Sequence, residues 1–207
     1  MDITHVFFDI GGVLGTNGWD REQRARAIER FGLDKSDFQY RHETTVGALE
    51  EGRITLDEYL DLTVFCSPRE FSRDDFRNFM FAQSHADSEA ITIARAVAEL
   101  GRYRMMTLNN ESAELNAHRI AVFGLGDMFD AFLSSCWLRV SKPTRMFYDL
   151  ALSIAHANPS ASLFIDDREQ NLTPAKALGM QVIHFTSADL LRGQLAAAGI
   201  KLNSEGT

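Results

Sequence analysis

Short, largely apolar runs recur along the chain. Five of them predict β-strands, at Val6–Phe8, Met105–Leu108, Ala131–Leu133, Leu163–Ile165 and Val182–Phe185. Residues with helical spacing separate most of these runs. Strands that alternate with helices form a parallel sheet covered on both faces, so the pattern predicts an α/β fold with a doubly wound sheet.

Four segments outside these runs have the spacing of amphipathic helices. Apolar residues share one face over residues 91–98 and again over Phe147–Ile154, which follows Pro143. Shorter helices are predicted over Leu172–Leu178 and Leu190–Ala198. These helices supply the layers that the sheet needs on its two faces.

The interval from residue 15 to residue 86 breaks the alternation and predicts consecutive helices without a strand. Capping pairs mark helix starts within it: Asp20 with Gln23, Thr55 with Glu58, and Ser72 with Asp75. We interpret the interval as a helical insertion that lies over the end of the first strand. The expected organisation is a core of residues 1–14 and 87–207 and an inserted domain of residues 15–86.

Composition and charge limit the class of protein. The 207 residues are 45% hydrophobic and 24% charged, which is ordinary for one globular core with a modest insertion. A formal net charge of −8 argues against a general binder of nucleic acid or of anionic membranes. This net charge is compatible with a local cationic site that binds a small anion.

Cysteine usage and the chain ends bear on the compartment. Cys66 and Cys136 have neither disulfide nor zinc-ligand spacing, which favours a reducing environment. The sequence opens without a signal segment, and its apolar runs are too short to span a membrane. We therefore expect a cytoplasmic protein. Asn203–Thr207 is predicted to be a frayed tail.

Four polar elements end or follow predicted strands. They are Asp9 with Gly11 and Gly12, then Asn109-Asn110, then Lys142 before a proline, and finally Asp166-Asp167. The carboxyl ends of parallel strands lie at one edge of a sheet, where such folds bind their ligands. We expect the four elements to meet there.

The chemistry of these side chains indicates a phosphate site. Asp9, Asp166 and Asp167 would repel one another unless a cation lay among them, and oxygen ligands on a hard cation favour Mg²⁺. Lys142 adds a compact positive charge, and Asn109 and Asn110 add neutral donors. This inventory suits a phosphoryl group, so we expect a small phosphorylated metabolite as partner.

At these residues the chain resembles the haloacid dehalogenase superfamily of hydrolases. The matching motifs are FFDIGGVL at 7–14, LNN at 108–110, SKP at 141–143 and FIDD at 164–167, in family order over nearly the whole chain. Each motif is weak alone, and the ordered set is specific. The resemblance implies a Rossmann-like core with a helical cap inserted after the first motif.

The same resemblance implies roles for individual residues. Asp9 would attack phosphorus and form an aspartyl-phosphate. Asp9, the Gly11 carbonyl, Asp166 and Asp167 would surround magnesium, with Asp166 as a ligand or as support. Lys142 would hold the phosphoryl oxygens and the Asp9 carboxylate, and Asn109 and Asn110 would bind substrate.

Two positions depart from the family pattern. Phosphatases of this family commonly carry a second aspartate two residues after the nucleophile, as general acid and then base, and Gly11 stands there in this chain. Some sugar-phosphate phosphatases of the family share that glycine. Asn109 replaces the usual serine or threonine, a milder change because an amide still donates to a phosphoryl oxygen.

The leading hypothesis is a magnesium-dependent phosphatase of a small phosphomonoester, with a sugar phosphate as one candidate. A 2-haloacid dehalogenase, which forms an aspartyl ester without metal, is one alternative. A catalytically weak phosphate-binding protein is another, motivated by Gly11. Trp19, Phe38, Tyr40 and Arg41 of the insertion are candidate substrate contacts, although each residue taken singly is more typical of the core or surface of the insertion.

Overall fold

A computed structural model describes residues 2–202, so the predicted tail at Asn203–Thr207 lies outside the described residues. Within that range the chain forms one five-stranded parallel sheet with the order β3-β2-β1-β4-β5. The strands are β1 (His5–Phe8), β2 (Arg104–Asn109), β3 (Ala131–Ser134), β4 (Ser162–Asp166) and β5 (Gln181–His184). The predicted α/β fold with a doubly wound sheet is confirmed.

Helices connect these strands. In chain order they are α1 (Arg21–Phe31), α2 (Lys35–Glu50), α3 (Leu56–Thr63), α4 (Arg73–Ala82), α5 (Ser88–Glu99), α6 (Ala113–Val122), α7 (Ser135–Leu138), α8 (Arg145–Ile154), α9 (Glu169–Ala177) and α10 (Ala188–Ala197). Single 3₁₀ turns at Leu125–Asp127 and Pro159–Ala161 precede β3 and β4. The four helices predicted outside the insertion correspond to α5, α8, α9 and α10.

The hydrophobic pattern of the sequence does not predict helix α6. Its buried face includes Asn116 and Arg119 beside Leu115, so polar residues stand where an amphipathic helix shows apolar ones. Asn116 accepts a hydrogen bond from Asn109 at the end of β2, and Arg119 lines the cavity at that edge of the sheet. The sequence therefore shows no apolar pattern for α6, because polar residues near the site occupy its buried face.

The central strand β1 divides the core in two. Val6 and Phe8 point into a cluster formed with α5 and α10, while Phe7 points into a cluster formed with α8 and α9. Side chains on a strand alternate between faces, so a strand covered on both sides is apolar throughout. Residues beyond the end of β1 therefore emerge at the sheet edge, between the two helical layers.

The helical insertion (residues 15–86) has a core of its own. Trp19, Phe38, Tyr59 and Phe76 are buried together, and Leu115 of α6 joins them from outside the insertion. Thr55 with Glu58 and Ser72 with Asp75 form the predicted capping boxes.

The third predicted capping pair forms only in part. Asp20 caps α1 by accepting from the Arg21 N–H at 2.6 Å. Gln23 Oε1 has no hydrogen-bond partner among the described residues. The predicted Asp20–Gln23 pairing is therefore wrong, although Asp20 is the cap.

Among residues 2–202, no helix combines the length and the apolar character that crossing a bilayer requires.

At Gly15 the chain leaves the core, and this glycine lies beside the segment at residues 85–86 through which the chain comes back. It forms bridge pairs with Gly11 and with Ala86. A Cβ on Gly15 would lie 2.6 Å from the backbone oxygen of His85 and 2.7 Å from the Phe123 ring. Only glycine lets the two connections pass this closely.

We expect Gly15→Ala to lower the free energy of unfolding by about 1–3 kcal/mol, because the added methyl group overpacks this junction. Gly47→Ala is the matched control, since a Cβ there meets nothing within 4 Å on helix α2. That change should raise the stability by about 0.5–1 kcal/mol. Urea denaturation of both variants measures the effect, and an unchanged midpoint for Gly15→Ala would contradict the close packing.

Candidate active site

Sheet register brings the first and last motifs together. Phe8 of β1 pairs with Ile165 of β4, and the Asp9 N–H donates to the Ile165 carbonyl at 2.9 Å. Asp9 and Asp166 are therefore neighbours at the carboxyl ends of adjacent strands. Oxygens of Asp9, Asp166 and Asp167 lie within 4.8 Å of one another. Three acids meet at one point of the sheet edge.

Lys142 is inserted between two of these acids. Its Nζ lies 2.6 Å from Asp166 Oδ2 and 3.1 Å from Asp9 Oδ2, and the lysine is only 5% exposed. Asn110 fixes the lysine backbone: its amide donates to the Lys142 carbonyl and accepts from the Lys142 N–H, both at 2.9 Å. The ammonium is a buried part of the site and not a surface charge.

Asp166 is surrounded by donors besides Lys142. The Asn171 amide donates to both of its oxygens, at 3.0 and 3.1 Å, and the Arg168 N–H donates to Oδ1 at 2.8 Å. Tyr148 in turn donates to the Asn171 carbonyl at 2.7 Å. These donors and Lys142 contact both carboxyl oxygens of Asp166, which allows its full burial.

Asp167 differs from its neighbour. Its Oδ1 is buried and has no hydrogen-bond partner among the described residues. Gly12 adopts a left-handed backbone with φ of 77°, and a Cβ there would overlap the Asp167 carboxylate. An unsatisfied buried carboxylate oxygen beside other acids is the environment that a divalent cation stabilises. The residues present therefore fit a hard metal ion.

Burial and charge act in opposite directions in the cluster. Burial raises the pKa of Asp9 above its usual range, against the opposing Lys142 ammonium. Burial acts to lower the pKa of Lys142, and the carboxylates of Asp9 and Asp166 outweigh it, so that this pKa is raised. Burial and the Asp166 charge raise the pKa of Asp167. A further positive charge would therefore stabilise the ionised forms of these carboxyl groups.

Asn109 lies beneath the edge. Its amide donates to Asn116 Oδ1 at 2.9 Å and accepts from the Ser134 hydroxyl at 2.8 Å. Asn116 closes the ring by donating to Ser134 at 2.9 Å. Asn109 is 2% exposed and is not among the residues that line the cavity, whereas Asn110 is.

A cavity of about 270 Å³ opens directly onto Asp9, Gly11 and Lys142. The core also contributes Asn110 and Glu111 to its walls.

Residues of the insertion complete these walls. Trp19, Asp20, Arg24, His42 and Glu50 all line the cavity. At its rim, Arg168 Nη2 donates to Asp20 Oδ2 at 3.1 Å and to Asn17 Oδ1 at 3.3 Å. The insertion and the core thus enclose the site together.

The four insertion residues singled out by sequence lie in different environments. Trp19 is buried and lines the cavity, and its Nε1 donates to Tyr59 Oη at 2.9 Å. Phe38 belongs to the core of the insertion. Tyr40 is exposed, and Arg41 pairs with Asp37 on the same helix. Only Trp19 of the four borders the cavity.

Sequence reasoning missed several charged residues at the cavity, among them Arg24, Glu50, Glu111 and Arg119. One signal was present: His42, Val46 and Glu50 recur every fourth residue on α2, and all three line the cavity. Residues four apart share a helix face. That signal identifies a site only when the facing element is known, which requires the fold.

A larger groove of about 860 Å³ lies within the helical insertion and contains none of the predicted site residues. Aromatic and charged residues line it, including Arg30, Phe31, Phe71 and Phe79. We assign the candidate site to the smaller cavity, because the converging carboxylates and the buried lysine lie there.

Comparison with known proteins gives two informative relatives. The porcine (Sus scrofa) bifunctional epoxide hydrolase 2 is 24% identical over 98% of this chain and 40% of its own length, so the chain spans about two fifths of that relative. The D-ribitol-5-phosphate phosphatase of Bacteroides thetaiotaomicron is 24% identical over 86% of this chain and 90% of the relative. No protein-family model matches the chain.

Solved structures give the same fold. A HAD family enzyme of Bacteroides thetaiotaomicron in complex with magnesium superposes with a TM-score of 0.77 at 19% identity, covering 90% of this chain and 94% of that one. The same enzyme has been solved with magnesium and inorganic phosphate. The fold expected from the four motifs is confirmed.

We expect Lys142→Met to lower the free energy of unfolding by about 3–5 kcal/mol, because it leaves buried carboxylates without their cation. Lys176→Met, on the exposed side of α9, is the matched control and should change stability by less than about 0.5 kcal/mol. Urea denaturation in the presence of chelator measures both. Equal stabilities of the two variants would contradict a buried charge cluster.

Proposed function

We propose that this chain, a haloacid dehalogenase-like protein by its fold and its ordered motifs, is a magnesium-dependent phosphatase of a small phosphomonoester. The observation that carries the proposal is the buried Asp9–Lys142–Asp166 contact, with Asp167 beside it, at the base of a polar cavity. A nucleophilic carboxylate, an ammonium group and an acidic metal site converge there. Phosphoryl transfer by positioning and charge stabilisation needs these groups.

Asp9 is the proposed nucleophile. Its Oδ1 accepts from the Ile10 N–H at 2.8 Å and its Oδ2 faces Lys142, so the carboxylate is held in one orientation at the cavity floor. Attack of a carboxylate oxygen on phosphorus forms an aspartyl-phosphate and releases the alcohol. Water then hydrolyses the aspartyl-phosphate and restores Asp9. Lys142 stabilises the negative charge on the phosphoryl oxygens throughout.

Asp9, Asp167 and the Gly11 carbonyl are the proposed ligands of Mg²⁺, with Asp166 orienting Lys142 beside them. The unpartnered Asp167 oxygen supports this assignment. The bound ion supplies positive charge that offsets the acids and the phosphoryl group. It also favours the charged, nucleophilic form of Asp9, which burial alone disfavours.

The two asparagines are proposed to act differently. Asn110 lines the cavity while its amide holds the Lys142 backbone, and the proposal places it beside the phosphoryl group. The Asn109 amide is already engaged by Asn116 and Ser134, which supports a role in holding the strand end. Substrate binding by Asn109, as the motif implies, stays a prediction.

The proposed substrate is a sugar or polyol phosphate. The cavity volume of about 270 Å³ suits a small molecule. Asn17, Asp20, Arg24 and Glu50 offer it hydrogen-bonding groups in place of an apolar wall. The relative named for D-ribitol-5-phosphate supports the same substrate class. Residues 15–86 are proposed to act as the cap that encloses the substrate and excludes water.

We expect Asp9→Asn to reduce phosphate release to below about one thousandth of wild type, because the amide cannot form the acyl-phosphate. The assay uses a panel of sugar, polyol and other phosphomonoesters with magnesium. Chelator should abolish release by the wild-type protein, and added magnesium should restore it. Circular dichroism checks that the variant is folded. Turnover that persists in Asp9→Asn would exclude the mechanism.

Assays of halide release and of ligand binding, run beside this panel, separate the alternatives. A dehalogenase would release halide from 2-haloacids in the presence of chelator. A phosphate-binding protein without turnover would bind phosphomonoesters in a magnesium-dependent manner and release no phosphate. Either outcome would overturn the phosphatase proposal.

A further inference from the structure

The leaving oxygen of an alkyl phosphate needs a proton, and Gly11 has no side chain to supply one. We propose that Glu50, at the end of helix α2 in the insertion, is the general acid and base of the phosphatase reaction. The inference rests on the proposed function and adds a catalytic residue to it. It assigns proton transfer to the insertion and charge stabilisation to the core.

The position of Glu50 on α2 carries the first part of the argument. Glu50 lines the same cavity as Asp9, Gly11 and Lys142, and it reaches that cavity from the insertion. Its side chain is only partly exposed, and the described residues make no hydrogen bond to its carboxyl group. It is thus a partly buried acid at the cavity wall, and the described residues leave its carboxyl group without a hydrogen bond.

The backbone of Glu50 is fixed to the core. The Ser135 hydroxyl donates to the Glu50 carbonyl at 2.6 Å and accepts from the Glu111 N–H at 3.1 Å. Ser135 is fully buried. One hydroxyl therefore joins the end of α2 to the loop that follows β2, so Glu50 is held at a set distance from the catalytic strand ends.

The surroundings of Glu50 favour a proton on its carboxyl group near neutral pH. Burial, and next the Glu111 carboxylate, raise the pKa of Glu50 to about 7. The negative end of the α2 dipole acts in the same direction. The other charged or titratable groups that face it are Asp20, Arg24, Tyr59, Lys142 and Arg168. A pKa near the working pH is what acid–base catalysis requires.

The remaining acids at the cavity are committed elsewhere. Glu111 accepts from the Ser112 N–H at 2.9 Å and lies 3.9 Å from Arg119. Asp20 caps α1 and pairs with Arg168.

His42 is no better as a proton donor. It shares a hydrogen bond with Tyr59 Oη at 2.9 Å, and burial lowers its pKa to about 4. The imidazole is therefore neutral near pH 7. Glu50 is the cavity acid with a free carboxyl group among the described residues.

The proton balance of the reaction is complete with Glu50. As an Asp9 oxygen attacks phosphorus, the bond from phosphorus to the ester oxygen breaks, and that oxygen takes the Glu50 proton to leave as an alcohol. Glu50 is then a carboxylate. It removes a proton from the water that attacks the aspartyl-phosphate, the bond to Asp9 breaks, phosphate leaves, and Glu50 is protonated again.

The test compares two leaving groups in Glu50→Gln. The probes are p-nitrophenyl phosphate, whose leaving group departs as an anion, and the alkyl phosphomonoester that the wild type hydrolyses fastest. We expect kcat/KM for the alkyl ester to fall by about 10²–10⁴-fold. For p-nitrophenyl phosphate it should stay within about threefold, because kcat/KM reports only the steps through aspartyl-phosphate formation.

Glu43→Gln is the matched control, since Glu43 lies on the exposed side of the same helix. Glu43→Gln should leave kcat/KM for both substrates unchanged. An equal loss on both substrates in Glu50→Gln would assign Glu50 to substrate positioning and overturn the proposal, as would no loss on either. Absence of turnover in the wild type would instead reject the phosphatase function itself.

Two further measurements extend the test, and the first, on the wild type, does not depend on the folding of Glu50→Gln. In the wild type, kcat/KM for the alkyl ester, relative to p-nitrophenyl phosphate, should fall as pH rises through about 7. Gly11→Asp has room for its Cβ, whose nearest neighbours would be 3.6 Å away, and it should restore alkyl-ester hydrolysis to Glu50→Gln at least tenfold. A pH-independent ratio, or no restoration in a folded double variant, would contradict the assignment.

Discussion

The site depends on one buried ammonium held between two carboxylates. Lys142 lies within hydrogen-bonding distance of Asp166 and Asp9 with almost no solvent access. A charge in that position is stable only when its partners are fixed, since the loss of solvation is large. The sheet register fixes the two acids, and Asn110 fixes the lysine backbone. Much of the polar structure around the sheet edge therefore serves to hold one contact.

The core and the insertion contribute different things to the cavity. The core supplies the proposed nucleophile, the ammonium group and the acidic cluster, all from strand ends and the loops beside them. The insertion supplies Trp19, Arg24, His42 and Glu50, which also line the cavity. Gly15, where the chain passes its own return at His85, ties the insertion to the end of β1. On this division, we propose that the core carries nucleophilic attack and charge stabilisation, and that the insertion carries substrate choice and proton transfer.

The sequence predicted the five strands closely because a strand covered on both faces leaves a continuous apolar run, as Val6–Phe8 and Leu163–Ile165 do. It predicted that the acids and Lys142 converge, since parallel strands end at one edge. It missed α6, whose buried face includes Asn116 and Arg119. It also missed Glu50, because a glutamate on a helix is ordinarily solvated, and only the fold reveals what faces it.

The central claim is that Asp9 becomes phosphorylated. Its most direct test is mass spectrometry of the peptide that carries Asp9, after acid quenching of the protein during turnover of its best phosphomonoester with magnesium. The account predicts a phosphoryl group on Asp9 that is absent without magnesium and absent from Asp9→Asn. Steady phosphate release with an unmodified Asp9, or with the phosphoryl group on another residue, would contradict it.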